Sequence, residues 1–158
     1  MVCASNSARL DANMDPRAAP KPSATKRILI VDDEPSVLSV LRACFASFHH
    51  GHAYQITTAE SATDAFSLLR QQQFDLILLD IVIPAARGRW IREKSLGIGL
   101  LARFRDLGVT APVLMMTGVA RDVAKEVMAQ NAGVVGVLYK PIDLRELERA
   151  VAQALGCG

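Results

Sequence analysis

Aromatic side chains are scarce in these 158 residues, 5% in all with a single tryptophan, and cysteine occurs only three times. Cys3, Cys44 and Cys157 are odd in number and far apart, with no CxxC pair and no nearby histidine at ligand spacing, which excludes a disulfide framework and a zinc finger. Reduced thiols and a cytoplasmic location are expected. A continuous apolar core is missing from Met1–Leu10, where Ser, Asn and Arg interrupt any export signal. The uncharged stretch Gly108–Ala120 is shorter than the ~18–20 residues of a membrane helix, so no membrane association is expected. Charge of one sign is lacking too: 18 Lys+Arg against 16 Asp+Glu leaves +2, too little to argue for nucleic acid. What is present is 51% apolar and 22% charged residues, the composition of a globular chain whose length suits one domain.

Residues 1–26 have no hydrophobic period and carry Pro16, Pro20 and Pro22, which break helices and ladders, so they read as a flexible N-terminal tail. With Arg27 included this leader has five basic and two acidic residues, a net +3, and the remainder carries −1. A solvated leader is expected. Residues 27–158 read as the folded domain. There, short β-branched runs at Arg27–Val31, Tyr54–Thr58, Asp75–Leu79, Pro112–Met116 and Val134–Leu138 predict five strands. Amphipathic stretches at Ser36–Phe48, Ser61–Gln71, Gly97–Leu107, Arg121–Gln130 and Leu144–Leu155 predict the helices between and after them. This alternation is that of an α/β protein with a parallel sheet, and the more polar Tyr54–Thr58 run suits an edge.

In such a sheet ligands bind beyond the carboxyl ends of the strands. Those ends carry Asp32, Asp33 and Glu34 after the first strand, Asp80 after the third, Thr117 and Gly118 after the fourth, and Lys140 and Pro141 after the fifth. Carboxylates crowded on one rim repel one another and call for a hard cation with oxygen ligands, for which Mg²⁺ is suited. A carboxylate oriented there can attack phosphorus, with Thr117, backbone N–H groups and Lys140 holding the phosphoryl oxygens.

Four segments together resemble the receiver domains of two-component response regulators: Arg-Ile-Leu-Ile-Val-Asp-Asp-Glu-Pro (27–35), Phe-Asp-Leu-Ile-Leu-Leu-Asp-Ile-Val-Ile-Pro (74–84), Pro-Val-Leu-Met-Met-Thr-Gly (112–118) and Tyr-Lys-Pro-Ile-Asp (139–143). The resemblance implies a flavodoxin-like (βα)5 doubly wound fold with strand order 2-1-3-4-5. It further implies that Asp80 accepts a phosphoryl group from a phosphohistidine on a sensor histidine kinase or histidine phosphotransfer protein. By the same resemblance Asp33 and Asp80 ligate Mg²⁺ with the backbone carbonyl of Val82, Asp32 acts through water, and Thr117 and Lys140 contact the phosphoryl group. Pro84 matches the family's proline four positions after the acceptor.

Three features depart from the family. Val137 stands where receivers place an aromatic switch residue, and Tyr139 lies two residues on, on the same side of the strand. Between Pro84 and Gly97 the connection is about nine residues longer than in the family, a length at which loops beside active sites are often functional. It carries Arg87, Arg89, Arg92 and Lys94 against Glu93, together with Trp90. Val82 and Val119 replace polar residues that position an attacking water, which implies slow autodephosphorylation. His49, His50 and His52 form a cluster without a thiol or carboxylate partner in their own segment and read as a surface turn, and Cys44 reads as a small apolar residue of the first helix.

The expected function is a stand-alone phosphorylation-controlled switch rather than an enzyme with turnover, signalling through the fourth helix, fifth strand and fifth helix to a protein partner or a second copy of itself, with no direct DNA binding. A receiver portion of a hybrid histidine kinase and a pseudo-receiver binding module are the alternatives. A haloacid-dehalogenase-type phosphatase is disfavoured because Val82 stands where its second acid belongs.

Overall fold

The computed structural model describes residues 24–84, 96–118 and 120–157. Most of the tail, the basic connection with Arg87, Arg89, Trp90, Arg92 and Lys94, and also Cys3 and Val119, lie outside the described residues. The elements are β1 (Thr25–Val31), α1 (Pro35–Ser47), β2 (Ala53–Ala59), α2 (Ala62–Gln71), β3 (Leu76–Asp80), α3 (Leu96–Asp106), β4 (Val113–Thr117), α4 (Arg121–Gln130), β5 (Val134–Tyr139) and α5 (Leu144–Ala154). No helix among the described residues is long and apolar enough to cross a membrane.

All neighbouring strands pair in parallel, in the order β2-β1-β3-β4-β5. β1 begins at Thr25 rather than at Arg27, because the polar Thr25 and Lys26 pair with Ala53 and Tyr54 of the edge strand β2. β3, β4 and β5 run one residue further than their apolar runs, so Asp80, Thr117 and Tyr139 are the last residues of their strands.

The uninterrupted apolar strands are covered on both faces. Ile28, Ile30, Leu76, Leu78, Leu114 and Met116 pack against Leu38, Leu41 and Phe45 of α1 and Leu147 and Val151 of α5. Their alternates Leu29, Val31, Ile77, Leu79 and Met115 pack against Ala65, Leu100, Phe104, Ala124 and Val127 of α2, α3 and α4. Right-handed crossovers dictate this division: the chain moves one way from β1 to β2 and the other way from β2 onward through β3, β4 and β5. The reversal opens a crevice between the carboxyl ends of β1 and β3, where Asp32 and Asp80 stand.

Helix starts follow local chemistry. Pro35 occupies the first turn of α1, where its missing N–H costs nothing. Ser61 caps α2 by accepting from Asp64 N at 3.1 Å, and Asp143 caps α5 by accepting from Arg145 N and Glu146 N at 2.9 and 3.0 Å. Ser36, expected to open the first helix, lies one residue inside it and donates instead to Glu34 Oε1 at 2.6 Å.

Gly97 in α3 sits directly against the chain that leaves β3: its N–H donates to Ile81 O at 3.1 Å, and a Cβ there would lie 2.8 Å from the Ile81 carbonyl carbon and closer still to the Asp80 carbonyl oxygen. Gly99, two residues on, has open space around it. The two glycines should therefore respond in opposite directions. Gly97→Ala should lower the thermal midpoint, with an overpacking cost of about 1–3 kcal/mol. Gly99→Ala should raise it, through a gain of about 0.5–1 kcal/mol in helix propensity. Equal shifts in the two melting curves would contradict the close approach at Gly97.

Candidate functional site

Asp32, Asp80 and Thr117 are the buried polar residues of the carboxyl rim, at 0%, 6% and 0% exposure. Backbone bonds hold the rim in place. Asp32 N donates to Ala59 O at 3.1 Å, Ile81 N to Met116 O at 3.2 Å, and Lys140 N to Thr117 O at 2.8 Å, so each loop is fixed to a neighbouring strand. Side chains are oriented from the same backbone. Asp32 Oδ1 accepts from Glu34 N, and Asp80 Oδ1 accepts from Val82 N, both at 2.9 Å.

The remaining oxygens converge on one cation. Lys140 Nζ donates to Asp32 Oδ2 at 2.7 Å and to Asp80 Oδ2 at 2.6 Å. The peptide bond from Lys140 to Pro141 is cis. Carboxylate oxygens of Asp32, Asp33 and Asp80 lie within 4.8 Å of one another, Asp33 being half-buried at the mouth. Three carboxylates and one ammonium leave the cluster negative. Burial, with the Asp32 charge adding to it, raises the Asp80 carboxyl above its ordinary range against the lowering pull of Lys140 and the Val82 amide. For Lys140, burial alone works to lower its affinity for a proton, but the hydrogen bonds to Asp32 and Asp80 outweigh it and the net direction is up. The ammonium is therefore charged at neutral pH. Hard, closely spaced oxygen donors with residual negative charge are the ligand set that suits Mg²⁺, so the residues present fit that ion.

Asp32, Asp33, Asp80 and Lys140 thus come together as the sequence predicts, and Thr117, beside Tyr139 in the sheet register, completes the rim. Val82 meets Asp80 through its amide, and its side chain is 44% exposed. Tyr139 is half-buried against the α4 side of the core, with the Arg121 guanidinium 4.8 Å from its ring centroid, a cation–π contact that no sequence motif announces. The histidine turn has no thiol or carboxylate partner in its own segment, but one of each reaches it from distant segments. That juxtaposition is invisible in the sequence because the partners stand about a hundred residues away.

A family model described as response regulator receiver domain matches residues 28–152. The transcriptional regulatory protein ZraR of Salmonella typhimurium is 31% identical over 128 residues, covering 81% of this chain and 26% of that protein. The alginate biosynthesis transcriptional regulatory protein AlgB of Pseudomonas aeruginosa is 34% identical over 131 residues, 82% of this chain and again 26% of the relative. The chain thus spans about a quarter of the length of these curated relatives. Among solved structures, a putative response regulator from Chloroflexus aurantiacus superimposes with a TM-score of 0.67 at 28% identity, covering 84% of this chain and 98% of that one. A CheY-like receiver domain protein from Methanospirillum hungatei gives 0.65 at 25% identity, with 84% and 94% covered.

The raised Asp80 carboxyl carries a stability consequence. A carboxyl whose affinity for a proton is higher in the folded than in the unfolded chain contributes stability that is present at low pH and lost as pH rises through its folded value. At pH 7 the ionised group is then a cost. Asp80→Asn should raise the thermal midpoint in metal-free buffer, on the order of 3 °C, and the gap to wild type should close as pH falls toward the acid range. A lower midpoint for the variant at neutral pH would show that the Lys140 contact outweighs burial.

Proposed function

The chain belongs to the response regulator receiver domain family of two-component signalling, and from that premise we propose that Asp80 accepts a phosphoryl group from a phosphohistidine on a sensor histidine kinase or histidine phosphotransfer protein. The observation that carries this reading is Lys140 Nζ within 2.6 and 2.7 Å of Asp80 and Asp32 beside a third carboxylate, Asp33. Asp80 Oδ attacks phosphorus in line with the P–N bond. As the P–O bond forms, the P–N bond breaks and its electron pair leaves on the donor imidazole, which takes a proton from solvent. Lys140 turns from the carboxylate to a phosphoryl oxygen, and the Thr117 hydroxyl takes another. Asp33 and Asp80 directly, Asp32 through water and the Val82 carbonyl would hold Mg²⁺, which supplies positive charge against the crowded oxygens. The exposed methyls of Val82 offer no hydrogen bond to an attacking water, which favours a slowly hydrolysed phospho-state.

The folded unit in this reading is 27–158 with the tail 1–26 ahead of it, in a cytoplasmic setting. Its output is a protein contact, or a homodimer, on the surface of α4, β5 and α5, where Val123 and Val135 are 46% and 49% exposed and Arg121 covers Tyr139. A seat for the donor protein lies beside the acceptor. A largely apolar groove of about 640 Å³ runs between α1 and the start of α5, lined by Val37, Val40, Leu41, Ile142 and Leu144, with Glu34 and Lys140 also in its lining. Val40 and Leu144 are 62% and 47% exposed there.

Two experiments test these roles. Incubation with a small acyl phosphate and Mg²⁺ should phosphorylate the wild type and not Asp80→Asn, chelation of Mg²⁺ should abolish labelling, and Thr117→Ala should slow it by about tenfold or more. Equal labelling of wild type and Asp80→Asn, or none in either, would sink the phosphoacceptor role. Val40→Glu should slow transfer from a phosphohistidine protein about tenfold while leaving the small-donor rate unchanged. Equal slowing with both donors would remove the groove from donor docking.

A further inference from the structure

At the amino ends of the strands, away from Asp80, a second group of titratable side chains is assembled from three segments. His50 and His52 stand in the turn between α1 and β2, Tyr54 is on β2, Glu148 is on α5, and Cys157 follows that helix. Tyr54 Oη is 2.6 Å from His50 Nδ1, and His50 Nε2 is 3.7 Å from Glu148 Oε1. His52 Nε2 is 2.8 Å from Cys157 Sγ. Burial first, then the charges of Cys157 and Glu148, pushes the Tyr54 phenol up to about 12, so it keeps its proton beside His50 Nδ1.

His52 is ordered by a different constraint. Its Nδ1 is buried and without a hydrogen-bond partner. An unpaired buried N–H is the rarer and costlier orphan, so the ring proton belongs on Nε2, where it faces the sulfur. Cys157 is half-buried, with the His52 ring nitrogen at its sulfur. Cys44 is half-buried as well, but it packs among the apolar residues beneath α1, and burial pushes its thiol up. The cluster is not a preformed metal centre, since the one group of three or more ligand atoms within 4.8 Å among the described residues is Asp32, Asp33 and Asp80.

We infer that Cys157, held by the His52 N–H, is a thiol-modification site that exchanges with low-molecular-weight disulfides. Its thiol gives a proton to solvent, and the thiolate attacks one sulfur of the disulfide. A Cys157–sulfur bond forms as the S–S bond of the co-reactant breaks, and the electron pair departs on the second sulfur as a thiolate. The disulfide is the oxidant, and Cys157 is oxidised to a mixed disulfide.

The test uses the intact protein and oxidised glutathione at pH 7, with sites and rates read by mass spectrometry. A synthetic peptide of residues 150–158, which presents the same thiol without His52, is the reference. Cys157 in the protein should react about tenfold faster than in the peptide, and faster than Cys44. His52→Phe, which keeps a ring and removes the donor, should bring the rate down to that of the peptide, while His52→Gln, which keeps an N–H donor, should retain part of the advantage. A protein rate no greater than the peptide rate overturns the inference whether or not the variants fold. So does a folded His52→Phe protein that reacts as fast as wild type, or a folded His52→Gln that falls as far as His52→Phe.

Discussion

The ammonium of Lys140, shared between Asp32 Oδ2 and Asp80 Oδ2, is the contact on which the carboxyl rim depends. Both carboxylates are almost wholly removed from water, and such groups are tolerated only when paired and hydrogen-bonded. One oxygen of each is satisfied by a local backbone amide, from Glu34 and from Val82, and the other by the same ammonium. The compensation is incomplete by design of the donor set, because Asp33 brings a third charge to the mouth. That residual negative charge is the physical basis for the cation and phosphoryl chemistry proposed for the site.

Holding three strand ends in register for this contact requires the whole sheet. The two apolar layers grip alternate residues of every central strand, so no strand can slip by one residue without exchanging its faces. Loop backbones are then pinned to neighbouring strands, and Gly97 lets α3 press against the turn that follows Asp80. Packing behind the site thus sets the 2.7 and 2.6 Å contacts of Lys140 in front of it.

The same scaffold assembles a different chemistry at its other end. α1 and α5 lie on one face, and the segment after α5 returns to the turn before β2, where Cys157 meets His52. Hard oxygen donors occupy one end of the strands, and a thiol with one imidazole partner occupies the other. The rings of Phe48 and Tyr54 join this cluster to the aromatic group around Phe45, Phe48 against His50 and Tyr54 against both histidines.

Much of this was legible in the chain. Five strands and five helices lie within two residues of the positions that periodicity predicts, because short β-branched runs and amphipathic stretches carry opposite hydrophobic periods. The rim residues were legible for a topological reason: in a parallel sheet every carboxyl end falls on one edge, so Asp32, Asp80, Thr117 and Lys140 converge before any distance is known. Thr25 and Lys26 were missed as strand residues because their pairing with Ala53 and Tyr54 is a property of the partner strand rather than of their own polarity. Arg121 over Tyr139 and Cys157 beside His52 were hidden for a related reason. Periodicity and motif order, which are local, determined the elements and the acidic rim. The bridging role of Lys140, the lack of room at Gly97 and the thiol–imidazole pair were decided by tertiary structure alone, since each depends on how far apart two separately folded backbones come to rest.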